Sequence, residues 1–170
     1  MRLRHRPDQD GAGDWPFALD AEQVISVRED GVALLLKVDN LAPEPVSVGI
    51  GWHAFFPRHD GAYVTFRTQA ACAQDAAASA DRSTQGSDLG GTAEIVWPGQ
   101  WLALQRGTSP ELGDFVAMMP PPPADFFALE PAATANNAAT APAPQPCGLR
   151  LLPPGGSLSV LMTLRVRELT

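Results

Sequence analysis

Cysteine is nearly absent from this chain of 170 residues. Cys72 and Cys147 are too few and too far apart for a disulfide framework or a cysteine-based metal knuckle, and they read as ordinary thiols in a reducing compartment. Basic side chains are also short: 12 Lys and Arg stand against 19 Asp and Glu, for a formal charge of −7. A surface that recruits phosphate backbones or anionic lipid needs clustered cations, so nucleic acid is excluded as an expected partner. No apolar run approaches the roughly 18 residues that span a bilayer, and Met1-Arg2-Leu3-Arg4-His5-Arg6 leads into Pro7-Asp8-Gln9-Asp10, not into an apolar signal core. No membrane partner is expected, and the chain reads as soluble and cytoplasmic. Glycine-rich phosphate loops, a Gly-x-Ser-x-Gly elbow and internal repeats are missing too. Large core formers are few, with 18 Leu, 11 Val, 7 Phe and 3 Ile, so the core is thin.

Helix breakers, by contrast, are plentiful. Seventeen Pro and fifteen Gly interrupt the chain too often for a helical bundle. What remains has a period of two. Val32, Leu34, Leu36 and Val38 alternate with residues that include Lys37 and Asp39, as a strand with one wet face requires. Glu29-Asp30-Gly31 turns this strand back on Gln23–Val27 as a hairpin. Similar short runs occur at 46–50, 62–66, 93–97 and 101–104, and the longest clean alternation runs from Leu158 to Arg167. Many short strands joined by turns predict an all-β fold, an antiparallel β-sandwich, in one domain over 1–170. Segments 69–80 and 132–146 read as loops, and Met118-Met119 followed by four prolines reads as a stiff connector that leaves the ladder.

Two places carry candidate chemistry. In Gly51-Trp52-His53-Ala54-Phe55-Phe56-Pro57 one imidazole sits among three aromatic rings. Such a His can be tuned for proton transfer, or it can close a strand end with a hydrogen bond. Phe126-Phe127-Ala128-Leu129-Glu130 is an apolar run that ends in a carboxylate, which is a desolvated base or a solvated residue at a strand exit. Asp88 lies among Gly and Ser, where turn chemistry is the ordinary role. His53 and His59 lack ligand-spaced partners, so no metal and no cofactor is expected.

In order, these segments resemble the C-terminal part of the aldose 1-epimerase (galactose mutarotase) family. The resemblance rests on Trp15-Pro16-Phe17, on Val38-Asp39-Asn40 and on Pro45 to Pro57, with Ala54 and Phe55 where the family has Pro and Tyr. It continues through Leu129-Glu130-Pro131 and Gly148 to Ser157. It implies an incomplete mutarotase-like supersandwich and an isomerase that interconverts the α and β anomers of a hexose, a free small-molecule sugar. Glu130 would be the base on the anomeric hydroxyl and His53 the acid on the ring oxygen. Asp88 would bind sugar hydroxyls, and Trp52, Phe55 or Phe56 would wall a concavity about one hexose wide. Members are roughly twice this length. The part missing is the N-terminal one, with its sugar-binding Arg and second His, which would leave strand edges open to homo-oligomer formation. Two alternatives accompany this reading: a hexose-6-phosphate 1-epimerase using Arg58 or Arg67, and a non-catalytic carbohydrate-binding module.

Overall fold

The computed structural model of the chain describes residues 1–6, 16–66, 82–87, 92–97, 100–106, 114–119, 123–132 and 149–168. Within them are thirteen strands: β1 (Arg2–His5), β2 (Leu19–Arg28), β3 (Gly31–Asn40), β4 (Val46–Val48), β5 (Phe55–Pro57), β6 (Tyr63–Phe66), β7 (Arg82–Ser87), β8 (Thr92–Trp97), β9 (Gln100–Arg106), β10 (Asp114–Met119), β11 (Phe126–Ala132), β12 (Arg150–Leu152) and β13 (Ser157–Glu168). They build a seven-stranded sheet in the order β1-β2-β3-β13-β9-β8-β6, a four-stranded sheet β5-β11-β10-β7 and the pair β12-β4. Every ladder is antiparallel. The all-β architecture expected from the alternation is the one found. No described helix is long and apolar enough to cross a membrane.

The two long alternations make the spine. β3 pairs with β13 over nine positions, Val38 with Leu158, Val160 with Leu36 and Met162 with Leu34, so the even residues of both strands share one face. That face is the core. Met162 joins Ala93 and Ile95 of β8 in one cluster with Phe56, Phe127 and Leu129 from the four-stranded sheet, which is where the two sheets meet. Fully burying a Phe or Leu contributes about 1.5–3 kcal/mol, so Phe127 and Leu129, at 1% and 0% exposure, anchor β11 in place. At the other end Val46, Val48 and Leu152 of the β4–β12 pair cover Leu19, Val38 and Leu158. The hairpin before β3 needs Gly31, because a Cβ there would collide with the Leu164 carbonyl oxygen.

The opposite face of the large sheet is charged. Arg4 and Arg6 both bond the Asp20 carboxylate, Arg2 pairs with Glu22, and Lys37 reaches Asp39 at 2.8 Å. The bond from Arg4, then that from Arg6, holds the Asp20 carboxyl well below the usual carboxylate range against the cost of burial. Burial pushes Asp39 upward, but the bonds from Lys37 and Ser157 outweigh it and leave that carboxyl low. At the β1–β2 end the core side of the sheet is open, with Leu3 and Val27 at 50% and 80% exposure.

Two sequence expectations need correction. Met118 and Met119 do not leave the ladder. They pair with Ala128 and with Ser83 and Arg82, because a strand tolerates a proline immediately after its last residue. Segment 132–146 is not wholly loop, since Ala132 closes β11 opposite Asp114. The remainder of that segment, 69–80, Cys72 and Cys147 lie outside the described residues.

Candidate functional site

The site follows from strand register. β5 pairs with β11 through Pro57–Phe126, Phe56–Phe127 and Phe55–Ala128. Two backbone bonds carry the same register upstream: Leu129 N–H donates to the Ala54 carbonyl at 3.1 Å, and Trp52 N–H donates to the Pro131 carbonyl at 3.1 Å. His53 therefore stands opposite Glu130, 77 positions away in sequence. Its flanking pairs are the hydrogen-bonded ones, which leaves His53 and Glu130 as a non-hydrogen-bonded pair, the type that brings side chains closest. Pro131 has no N–H to return, so this ladder has no reciprocal bond at Trp52.

Alternation then sorts the side chains. Residues 52, 54, 56, 127, 129 and 131 face the core, where Phe56 stacks on Phe127 with centroids 5.8 Å apart and Trp52 and Ala54 pack beside them. Residues 53, 55, 57, 126, 128 and 130 face outward. On that outer face His53 Nδ1 lies 3.2 Å from Glu130 Oε1. The two side chains are 56% and 22% exposed, so the imidazole is open to solvent while the carboxylate is partly shielded. Phe55 stacks on the imidazole, centroids 4.5 Å apart and planes at 19°, and Phe126 meets Phe55 in a T-shaped contact at 5.4 Å and 76°. The contact engages Nδ1 of His53 and Oε1 of Glu130, and among the described residues no partner is found for Nε2 or Oε2.

The structure brings His53, Glu130 and Phe55 together. Of the three rings expected as wall, Phe55 lies beside the pair, and Phe56 and Trp52 do not. Both lie on the core side of the strand, because even positions here point inward. The pair is also closer than expected. The tips of His53 and Glu130 touch, which leaves no room for a ligand between them. Phe126 was missed by sequence reasoning, although the signal was present: it has the same parity as Glu130, so the two share a face. Asp88 lies outside the described residues, directly beyond β7, and Arg67 also lies outside them. Arg58 follows β5, where its N–H donates to the Asp125 carbonyl at 2.7 Å. No group of three His, Cys, Asp or Glu side chains that could hold a metal occurs among the described residues.

No protein-family model and no curated protein matches the sequence. Solved structures do match in fold. A candidate aldose 1-epimerase from Escherichia coli K12 superposes with a TM-score of 0.77 at 22% identity, covering 99% of this chain and 65% of that one. A galactose mutarotase-like protein from Clostridium acetobutylicum gives 0.76 at 14% identity, over 99% and 62% of the two chains. Another from Lactobacillus casei ATCC 334 gives 0.72 at 13% identity, over 98% and 69%. The chain thus has the galactose mutarotase-like fold along nearly its whole length, and it spans less than two thirds of the first two of these structures.

Proposed function

We propose that this chain is an aldose 1-epimerase-like isomerase, opening and reclosing the ring of a hexose. The observation that carries the proposal is the contact between His53 and Glu130 on an exposed sheet face beside aromatic rings. The anomeric hydroxyl and the ring oxygen are both bonded to C1, so an acid and a base that stand side by side can reach the two oxygens of one sugar. The fold neighbours described as aldose 1-epimerases support the same reading.

The steps balance without any cofactor. Glu130 takes the proton of the anomeric hydroxyl, C1 becomes a carbonyl, the bond from C1 to the ring oxygen breaks, and protonated His53 gives its proton to that oxygen. Rotation about C1–C2 turns the other carbonyl face toward the chain. His53, now neutral, takes the proton back as the ring oxygen attacks, and Glu130 returns its own to the new hydroxyl. The pair holds one proton at every stage, on His53 before opening and on Glu130 after it. The outward residues of this strand pair carry no cation besides His53, which favours a free hexose over a sugar phosphate. A second copy is the proposed protein partner, through the open edge and face at β1.

Polarimetry on freshly dissolved α-glucose and α-galactose tests the reading. The chain should speed the approach to anomeric equilibrium, with a bell-shaped pH profile, since only the singly protonated pair is competent. His53→Ala and Glu130→Ala should each lose roughly 100- to 10,000-fold of that catalysis. A chain that matches buffer alone refutes the enzyme assignment. Sugar binding without turnover would point to a carbohydrate-binding module instead.

A further inference from the structure

We infer that Phe55 and Phe126 are positioning residues, which hold the His53 ring in one plane and commit its Nε2, not Nδ1, to the substrate. The kinetic part of this inference rests on the proposed acid–base reading, whereas its structural part does not. An imidazole that is 56% exposed on a sheet surface is not held by burial. Two contacts restrain it here, and a third supports one of them. Alternation puts Phe55 next to it on the same face, where the rings stack at 4.5 Å and 19°. The facing strand supplies Glu130 at Nδ1. Phe126 then buttresses Phe55 from a diagonal position across the ladder, an arrangement open to it because the residue directly opposite Phe55 is the small Ala128.

The consequence is chemical. With Nδ1 facing a carboxylate oxygen, the neutral imidazole carries its hydrogen on Nδ1, the reverse of the Nε2–H form that a free histidine side chain favours in water. Nε2 is then the basic atom when His53 is neutral and the proton donor when it is charged. A ring free to turn would offer either nitrogen and would spend part of its time away from Glu130, so productive geometry would be lost without loss of sugar contacts.

Two measurements test this. Long-range nitrogen–proton NMR of the His53 ring, assigned by its disappearance in His53→Ala and recorded where the ring is neutral, should show the Nδ1–H tautomer in the wild type and in Phe55→Trp. Phe55→Leu and Phe126→Leu should shift it toward Nε2–H. In mutarotation assays Phe55→Leu should lower kcat roughly 10- to 100-fold with KM nearly unchanged, while Phe55→Trp restores it. Phe126→Leu should show a smaller loss of the same kind. A wild-type ring in the Nε2–H form, or Phe55→Leu that keeps both the Nδ1–H signature and full kcat, overturns the inference. If the wild type shows no turnover, the acid–base reading fails, and the tautomer measurement alone decides the positioning role.

Discussion

Asn40, at 0% exposure, is the most demanding polar residue of the fold, and replacing it with Ala should be among the costliest single changes. Its Nδ2 donates to the Glu44 carbonyl at 2.9 Å and the Leu152 carbonyl at 3.0 Å, with the Pro153 carbonyl at 3.2 Å sharing one of these hydrogens. Its Oδ1 accepts from Ala42 N–H at 2.9 Å. Its backbone bonds both Gly155 and Gly156, at 2.9 Å each, so one residue ties the end of β3 to the turn that enters β13. That turn uses Gly155 at φ +73°, which disfavours any side chain there. Asn40→Ala removes about three full bonds, two of them buried, and leaves their partners without water. At roughly 1–3 kcal/mol for each buried orphan and about 1 for the third, the expected cost is about 3–7 kcal/mol. Against a typical total of about 5–15 kcal/mol this is a large share. With an m-value near 2 kcal/mol per molar urea, the midpoint followed by tryptophan fluorescence should fall by roughly 1.5–3.5 M at constant slope. Asn40→Asp adds a sharper check. Its carboxylate would face three carbonyl oxygens, which raises its folded pKa above the unfolded value, so the folded state binds the extra proton and the variant should regain stability as pH falls. A loss below about 1 kcal/mol for Asn40→Ala, or an Asn40→Asp variant whose deficit ignores pH, would refute the assignment of Asn40 as a staple.

Two further outcomes follow from the large sheet. The folded Asp20 carboxyl sits below the unfolded value near 4, so its stabilisation is present above about pH 4 and is lost as pH falls toward the folded value. Asp20→Asn should therefore be less stable than wild type at neutral pH, by about 1–3 kcal/mol, and urea midpoints measured downward from pH 4 should converge; a pH-independent gap would mean the arginine bonds are not the cause. The open core side at Leu3 and Val27 should drive association, so sedimentation should show concentration-dependent dimers that Leu3→Lys with Val27→Lys disperses; a monomer at every concentration would remove the second copy as partner.

Long alternations were readable because each strand carries its own record of which side is wet. β3 and β13 each have enough positions to show the period, and Asp30-Gly31 marks the turn between β2 and β3. Two short strands, β5 and β1, gave no such record. β5 is Phe-Phe-Pro, and apolar residues on both sides of a three-residue strand hide its period; only the contrast between buried Phe56 and exposed Phe55 reveals the faces. β1 is Arg-Leu-Arg-His, whose arginines look like a solvated tail until Asp20 and Glu22 are seen on the next strand. His53 and Glu130 could be named individually, and parity puts Phe126 on the face of Glu130. That Phe126 meets Phe55 depends on the register between the two strands, and that is a tertiary fact.

Register is what the site depends on most. The outward face of β5 and β11 holds every reacting group proposed here, and the inward face holds Phe56, Phe127 and Leu129. A slip of one residue in β11 would turn Glu130 into the core and Leu129 out to His53, burying a carboxylate and exposing a side chain now at 0%. Burying an unpaired carboxylate costs several kcal/mol, and re-exposing a Leu forfeits a further 1.5–3 or so. Hydrophobic packing on one face thus fixes the meeting of His53 and Glu130 on the other. It follows that substitutions at Phe127 or Leu129 that loosen β11 should weaken the His53–Glu130 contact before any residue at the site is altered.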